Sequence, residues 1–274
     1  MPKPTVIVVN SLVARGSVGG RAGVFALERL GFPVIFVPTV VLAWHPGHGP
    51  ATRMVPDAAA FAALIDDLVG SNRLGDVGAV LTGYFGAAGE VADAARLVTA
   101  LKAVHPAARY LCDPNIGDTG GLFQPEAIAR TIRDRLLPLA DIATPNRFES
   151  DWLNAGGDDA RPARPPELVV TSAAADAGTI ETWVATPAAR LRVSHRWLPG
   201  NTVHGTGDLF AALYLGHRLD GATPGEAAAL ASGAVCHMVE AARRDGLDEL
   251  PLAACQEAIG APAAGVTVTA MADD

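Results

Sequence analysis

The sequence predicts an α/β fold: a mostly parallel sheet, helices between its strands, and an antiparallel hairpin at one edge. Three observations predict it. Short β-branched runs alternate with Ala- and Leu-rich stretches of helical length, and strand–helix–strand order at that spacing calls for parallel crossover units. Beyond Thr171 the alternation gives way to two β-rich runs around Pro187-Ala-Ala, which reads as a hairpin. The chain has 274 residues, half of them hydrophobic, enough to bury one large core.

The elements follow in order. Strands are expected at residues 5–10, 34–40, 77–82, 110–113, 141–144 and 168–171, then at 180–186 and 191–197 for the hairpin. Between them, residues 20–30, 57–69, 88–104 and 125–137 read as helices. A glycine loop at Gly205 opens a buried helix through Leu219, because nearly every residue from Leu209 onward is apolar. The next helix starts at Thr223-Pro-Gly-Glu226, a capping box with Pro at its first position, and stops at Gly246. Residues 250–259 read as a last helix. Residues 1–260 are expected to form a single domain, and the Ala-, Gly- and Pro-rich residues 261–274 a flexible tail. Only residues 156–166, rich in Gly, Asp and Pro, resemble a linker.

Charge and cysteines narrow the function classes. Acidic residues outnumber basic ones 29 to 21, a net charge of −8, which argues against a nucleic-acid or anionic-membrane surface. No apolar run approaches a membrane span, and the N-terminal run before Asn10 reads as a strand rather than a signal peptide. The three cysteines are odd in number and form no CxxC pair, which fits a reducing compartment, so a cytoplasmic location is expected.

The chemistry is concentrated in Gly205-Thr-Gly-Asp208. A glycine loop running into a helix leaves unpaired backbone N–H groups at the positive end of the helix dipole, a setting for an anion such as phosphate. Asp208 has two readings: a favourable charge in the first helical turn, or a base able to take a proton from an attacking hydroxyl. In open α/β sheets ligands bind beyond the carboxyl ends of the strands. There the chain carries Asn10-Ser11 with Gly16-Ser-Val-Gly-Gly20, Thr39 leading to Trp44-His45, Thr82-Gly83-Tyr84, Asp113-Pro-Asn-Ile-Gly-Asp118 and Thr144-Pro-Asn-Arg-Phe-Glu149. Singly, each could be an ordinary turn. Together they converge on one crevice with the Gly205 loop.

These blocks, in this order, resemble the pyridoxal kinases of the ribokinase-like (PfkB-type) superfamily over nearly the whole chain. The resemblance implies a ribokinase-like three-layer α/β/α sandwich and ATP-dependent phosphorylation of the 5′-hydroxymethyl group of pyridoxal. It implies Asp208 as base, with Gly205, Thr206 and Gly207 stabilising the transferring phosphoryl. Ser11, Thr39, His45, Tyr84 and Asp208 match the substrate side. Asp113, Thr144, Glu149, Thr171, Asn201, Thr202, Val203 and His204 match the ATP side, and Asp113, Asp118 and Glu149 the surroundings of Mg²⁺. A monovalent cation such as K⁺ and a homodimer are also implied. The chain departs from the family at Gly20, where Asn is usual; at Trp44 and Pro46, which stand for small polar groups; and at Asn115, which stands for an apolar one. The interval from Glu149 to Leu168 is too short for the helix usually found there. The catalytic end is thus intact and the substrate end altered, so a kinase of another small hydroxymethyl compound or sugar, or a non-catalytic pyridoxal phosphate- or nucleotide-binding protein, are the alternatives.

Overall fold

The computed structural model describes residues 2–155, 164–176, 178–198, 200, 203–261 and 264–271. A ten-stranded sheet runs through the molecule. Its parallel centre consists of β1 (Thr5–Arg15), β2 (Val34–Trp44), β4 (Val77–Thr82), β5 (Arg109–Cys112), β8 (Ile142–Ala143) and β9 (Glu167–Ala175), in the spatial order β2-β1-β4-β5-β8-β9. The short β3 (Arg53–Met54) pairs antiparallel to β2 at one edge. At the other edge β9, β10 (Thr179–Ala185), β11 (Arg190–Arg196) and β12 (Thr267–Ala270) pair antiparallel. A two-stranded ribbon, β6 (Gly117–Asp118) with β7 (Gly121–Leu122), stands apart from the sheet.

Both sheet faces are covered. The helices α1 (Gly20–Arg29), α6 (Thr206–Leu219) and α7 (Pro224–Arg244) share one apolar cluster with Val6 and Val8 of β1. On the other face α2 (Ala58–Gly70), α3 (Ala88–Val104) and α4 (Glu126–Thr131) pack over Ile7 and Val9, and Leu153 of α5 (Arg147–Ala155) joins them. Burial on both faces is why the parallel strands read as unbroken apolar runs instead of alternating ones. The expected three layers, parallel sheet and edge hairpin are what the chain forms.

Several elements differ from expectation. β1 and β2 run past the sheet. Their register shifts between Asn10 and Leu12, after which β1 leaves β4 and pairs with β2 alone. Val13, Val18, Val40 and Leu42, with Tyr84 against them, give this extension its own small core. The 125–137 helix is shorter: α4 opens into a π-turn at Ile132–Leu136 and a 3₁₀ turn at Leu137–Leu139, because Pro138 has no N–H to continue the α ladder. Residues 250–259 form turns and a 3₁₀ segment, Gln256–Gly260, in place of a helix, with Pro251 at the start. Thr267–Ala270, read as part of a flexible tail, closes the sheet edge as β12. α5 was not foreseen. The linker-like residues 156–166 lie mostly outside the described residues.

Candidate active site

The crevice forms where β1, β4, β5 and β8 end and α6 begins. Asn10, at the bulge of β1, is almost fully buried and serves as a hub. Its Oδ1 accepts from the N–H of Ser11 (2.7 Å) and of Tyr84 (3.0 Å), while its Nδ2 donates to Asp208 Oδ1 at 3.1 Å. Asn115 donates to the same oxygen at 3.2 Å, and the N–H of Gly19 donates to Asp208 Oδ2 at 2.8 Å. Asn115 has φ 47°, a left-handed conformation that Asn tolerates better than an apolar side chain. Asn115 therefore serves both the turn and the Asp208 carboxylate. Burial pushes the Asp208 carboxyl above its ordinary value, with the Gly19 and Asn10 donors opposing. A carboxylate so placed is held in one orientation and is a stronger proton acceptor than an exposed one.

The loop ahead of Asp208 has the predicted form. Gly205 adopts φ 88°, and a Cβ there would lie 2.3 Å from the carbonyl oxygen of Ser17, so only glycine fits. No side chain caps α6. Its uncapped first turn, Thr206 and Gly207, opens instead into a cavity of about 320 Å³. Trp197, Leu198, Phe210, Val235 and Val239 supply the cavity's apolar wall, a slot of the kind that takes a planar base, with the helix N-terminus at one end for phosphate. Ser232, on the same wall, is 2 % exposed, and its hydroxyl has no hydrogen-bond partner among the described residues. Sequence reasoning missed Ser232, which looks like any small residue on a buried helix.

Three carboxyls crowd the other side of the loop. Asp113 is pushed well up by burial, then by the charges of Glu149 and Asp208, and its one donor is Thr144 Oγ1 at 3.1 Å. Glu149 is pushed up to about 7 by burial despite backbone donors. Its Oε1 accepts from the N–H of Ile116 (2.7 Å) and Gly117 (3.3 Å), and its Oε2 from Asn146 (2.9 Å). The N–H of Glu149 in turn donates to Asn146 Oδ1 at 2.9 Å, completing a capping box on α5. Glu149 therefore anchors the 115–117 turn, and its occupied oxygens leave a bridging water as its natural route to a cation. Asp118 is exposed, and its Oδ1 accepts from Gly120 N–H at 2.8 Å. Among the described residues no three His, Cys, Asp or Glu groups form a ready cage. Uncompensated, crowded carboxyls still suit a hard divalent cation that takes its remaining ligands from phosphate and water.

Of the residues expected on the substrate side, Thr39 and Tyr84 are in direct contact, and His45 lies in the turn beyond β2. Ser11 and Thr39 are buried, Thr39 donates to the Tyr84 carbonyl at 2.7 Å, and the Tyr84 ring stacks with Phe123. His45 caps the Pro46–His48 turn, its Nδ1 accepting from Gly47 N–H at 3.1 Å. Of the expected ATP-side residues, Thr171 lines the same cavity, beside Ser172 with its strained φ of 48°. Thr144 and Val203 are buried behind it, and Asn201 and Thr202 lie outside the described residues. His204 is not among the residues that line this cavity; it stacks on His45, ring centroids 3.9 Å apart. The departure at Gly20 also has a structural reason: a Cβ there would fall 2.2 Å from the Phe36 ring, which fills the space a side chain would need.

Fold and site together define a nucleotide-dependent kinase: an uncapped helix N-terminus at an apolar slot, with an oriented buried carboxylate beside it. No family model matches the chain. Among curated proteins it is 37 % identical to the pyridoxal kinase PdxY of Rubrobacter xylanophilus, over 94 % of both chains. It is 33 % identical to that of Deinococcus radiodurans, over 92 % of this chain and 91 % of the relative. Among solved structures, the pyridoxal kinase of Leishmania donovani in complex with ADP and pyridoxamine superposes with a TM-score of 0.88 at 26 % identity, covering 98 % of this chain and all of that one. The chain belongs to the pyridoxal kinase family.

Proposed function

We propose that the protein transfers the γ-phosphoryl group of ATP to the 5′-hydroxymethyl group of pyridoxal, giving pyridoxal 5′-phosphate and ADP in vitamin B6 salvage. The observation that carries this is Asp208, oriented by three donors beside an uncapped helix start. The substrate hydroxyl donates its proton to the Asp208 carboxylate as its oxygen bonds to the γ-phosphorus. The bond from that phosphorus to the β–γ bridging oxygen breaks, and the electron pair leaves with ADP. Backbone N–H groups of Thr206 and Gly207 are aimed where charge develops on the phosphoryl oxygens. Trp197, Leu198, Val235 and Val239 would hold the base of the nucleotide, with Ser232 supplying a hydrogen bond. Ser11, Thr39, His45 and Tyr84 would form the pyridine pocket.

Asp113, with Glu149 and Asp118 acting through water, would hold Mg²⁺, which neutralises phosphate charge when bound. Dependence on K⁺, a homodimer and a cytoplasmic location complete the reading. Support for the location is the three unpaired cysteines, and no described helix is long and apolar enough to cross a membrane. Trp44 and Pro46 favour a second reading, a kinase of another hydroxymethyl heteroaromatic, since Pro46 has no N–H to offer a substrate. Purified protein assayed with MgATP against pyridoxal, pyridoxine, pyridoxamine, hydroxymethylpyrimidine and ribose decides between them. Highest kcat/KM on pyridoxal is expected; preference for hydroxymethylpyrimidine or ribose would overturn the first reading.

A further inference from the structure

One acidic residue outside every expected site joins two loops at the crevice. Glu249 follows α7, and its side chain is 17 % exposed. Its Oε2 accepts from the N–H of Ser17 at 2.7 Å, and its Oε1 meets His48 Nε2 at 3.0 Å. The contact is close enough that a Cβ on Gly16 would lie 2.5 Å from Oε1, so residue 16 must be glycine at its φ of 135°. The two partners belong to different sides of the chemistry. Ser17 sits in the loop whose Gly19 N–H binds Asp208 and whose Ser17 carbonyl packs on Gly205. His48 ends the turn that begins at His45, on the substrate side.

Neighbouring contacts strengthen the same junction. His48 Nδ1 meets Asp248 Oδ2 at 3.2 Å, so both ring nitrogens face carboxylates. The Asp248 carbonyl accepts from His204 N–H at 3.0 Å, and His204 stacks on His45. Gly47 has no room for a side chain, since a Cβ would lie 2.7 Å from His204 Nε2. Three chain segments far apart in sequence (16–19, 45–48 and 203–205) therefore meet at 248–249.

We propose that Glu249 is a positioning residue for the phosphoryl transfer, tying the substrate-side turn to the loop that aims Asp208 so that the two assemble as one unit. It touches neither substrate nor nucleotide; it acts through Ser17 and His48. The nucleotide slot shares none of these contacts. The bridge therefore affects the alcohol substrate and the chemical step, while ATP binding is independent of it. The inference rests on the kinase reading but not on pyridoxal itself, because the test uses whichever alcohol the wild type phosphorylates best.

The experiment measures kcat and both KM values for Glu249→Ala, Glu249→Gln, His48→Ala and the double variant Glu249→Ala/His48→Ala, with melting temperatures alongside. Loss of charge-assisted hydrogen bonds predicts an alcohol-substrate KM raised about tenfold or more in Glu249→Ala, with lower kcat and an ATP KM within about twofold of wild type. Glu249→Gln should recover most of this, because its amide oxygen still accepts from Ser17. Removing His48 should add under about twofold in the Glu249→Ala background, since the shared bridge is already gone. A purely structural Glu249 would lower melting temperature and active fraction while leaving both KM values in place, and that result overturns the proposal. So do equal rises in both KM values, or effects of the two single variants that multiply. If Glu249→Ala does not fold, His48→Ala carries the same test from the exposed end of the bridge: an alcohol KM raised about threefold or more supports the proposal, and an unchanged one overturns it.

Discussion

At the scale of single residues, the proposed mechanism rests most on Asp208. Three donors converge on its two oxygens, so Asp208→Asn places an amide NH₂ against at least one N–H donor while removing the base. Turnover should fall by about 10²–10⁴ with ATP KM little changed, as steady-state kinetics will read. Melting temperature should drop only slightly, because relief of a buried charge offsets the lost hydrogen bond. A variant keeping more than about a tenth of wild-type kcat would remove the base from this mechanism. Gly205→Ala tests the loop by sterics alone. Its φ of 88° and the Ser17 oxygen at 2.3 Å from any Cβ predict a stability loss of about 1–3 kcal/mol, measurable by denaturant titration, together with impaired turnover.

Elements carry stability and geometry separately, and variants can separate the two. The capping box of α7 is complete: Thr223 Oγ1 accepts from Glu226 N–H at 3.3 Å, and Thr223 N–H donates to the Glu226 carboxylate at 2.8 Å. The box lies at the end of α7 away from the slot residues Val235 and Val239. Thr223→Ala should therefore cost about 1 kcal/mol of stability and leave kcat unchanged. The capping box of α5 is different, because Asn146 Nδ2 also donates to the Gly117 carbonyl at 2.8 Å and Glu149 holds the 115–117 turn. Asn146→Ala should cost a similar amount of stability and lower kcat as well, since the turn it supports carries Asn115 to Asp208. Equal kinetics for the two cap variants would refute this distinction.

For the whole molecule, the buried ionisable groups set opposing pH windows. Glu149 is pushed from an ordinary value near 4.5 up to about 7, so its contribution to stability is fully present below pH 4.5 and lost as pH rises through 7. Asp113 and Asp208 shift the same way. His45 is lowered from 6.5 to about 4, chiefly by burial and then by His204, so its contribution is present above pH 6.5 and lost as pH falls toward 4. His204 is lowered as well. The ligand-free protein should therefore melt highest on the acid side of neutral and lose stability as pH rises through 7. Mg²⁺ with a non-hydrolysable ATP analogue should raise the melting temperature most at the alkaline end, where the carboxylates are charged. Thermal melts across pH, with and without that pair, check both expectations; a ligand-free maximum above pH 8 would contradict the assigned shifts.

The sequence by itself determined what depends on near neighbours. Strand and helix order follows from apolar runs, the bounds of β4 and α3 from their flanking turn residues, the α7 cap from four consecutive residues, and the turn into α6 from glycines beside Asp208. Tertiary structure decided whatever depends on partners distant in the chain. Asn115 reaches Asp208 across 93 positions, Asn10 across 198, and Glu249 reaches Ser17 across 232. No local pattern encodes such pairings, because an Asn in a turn or a Glu after a helix has the same local propensity whether or not it meets a partner. The same holds for His204, which faces His45 instead of the nucleotide slot, for the orphan hydroxyl of Ser232, and for residues 267–270. Those four residues look like a tail until the open edge of β11 supplies the backbone hydrogen bonds that make them a strand.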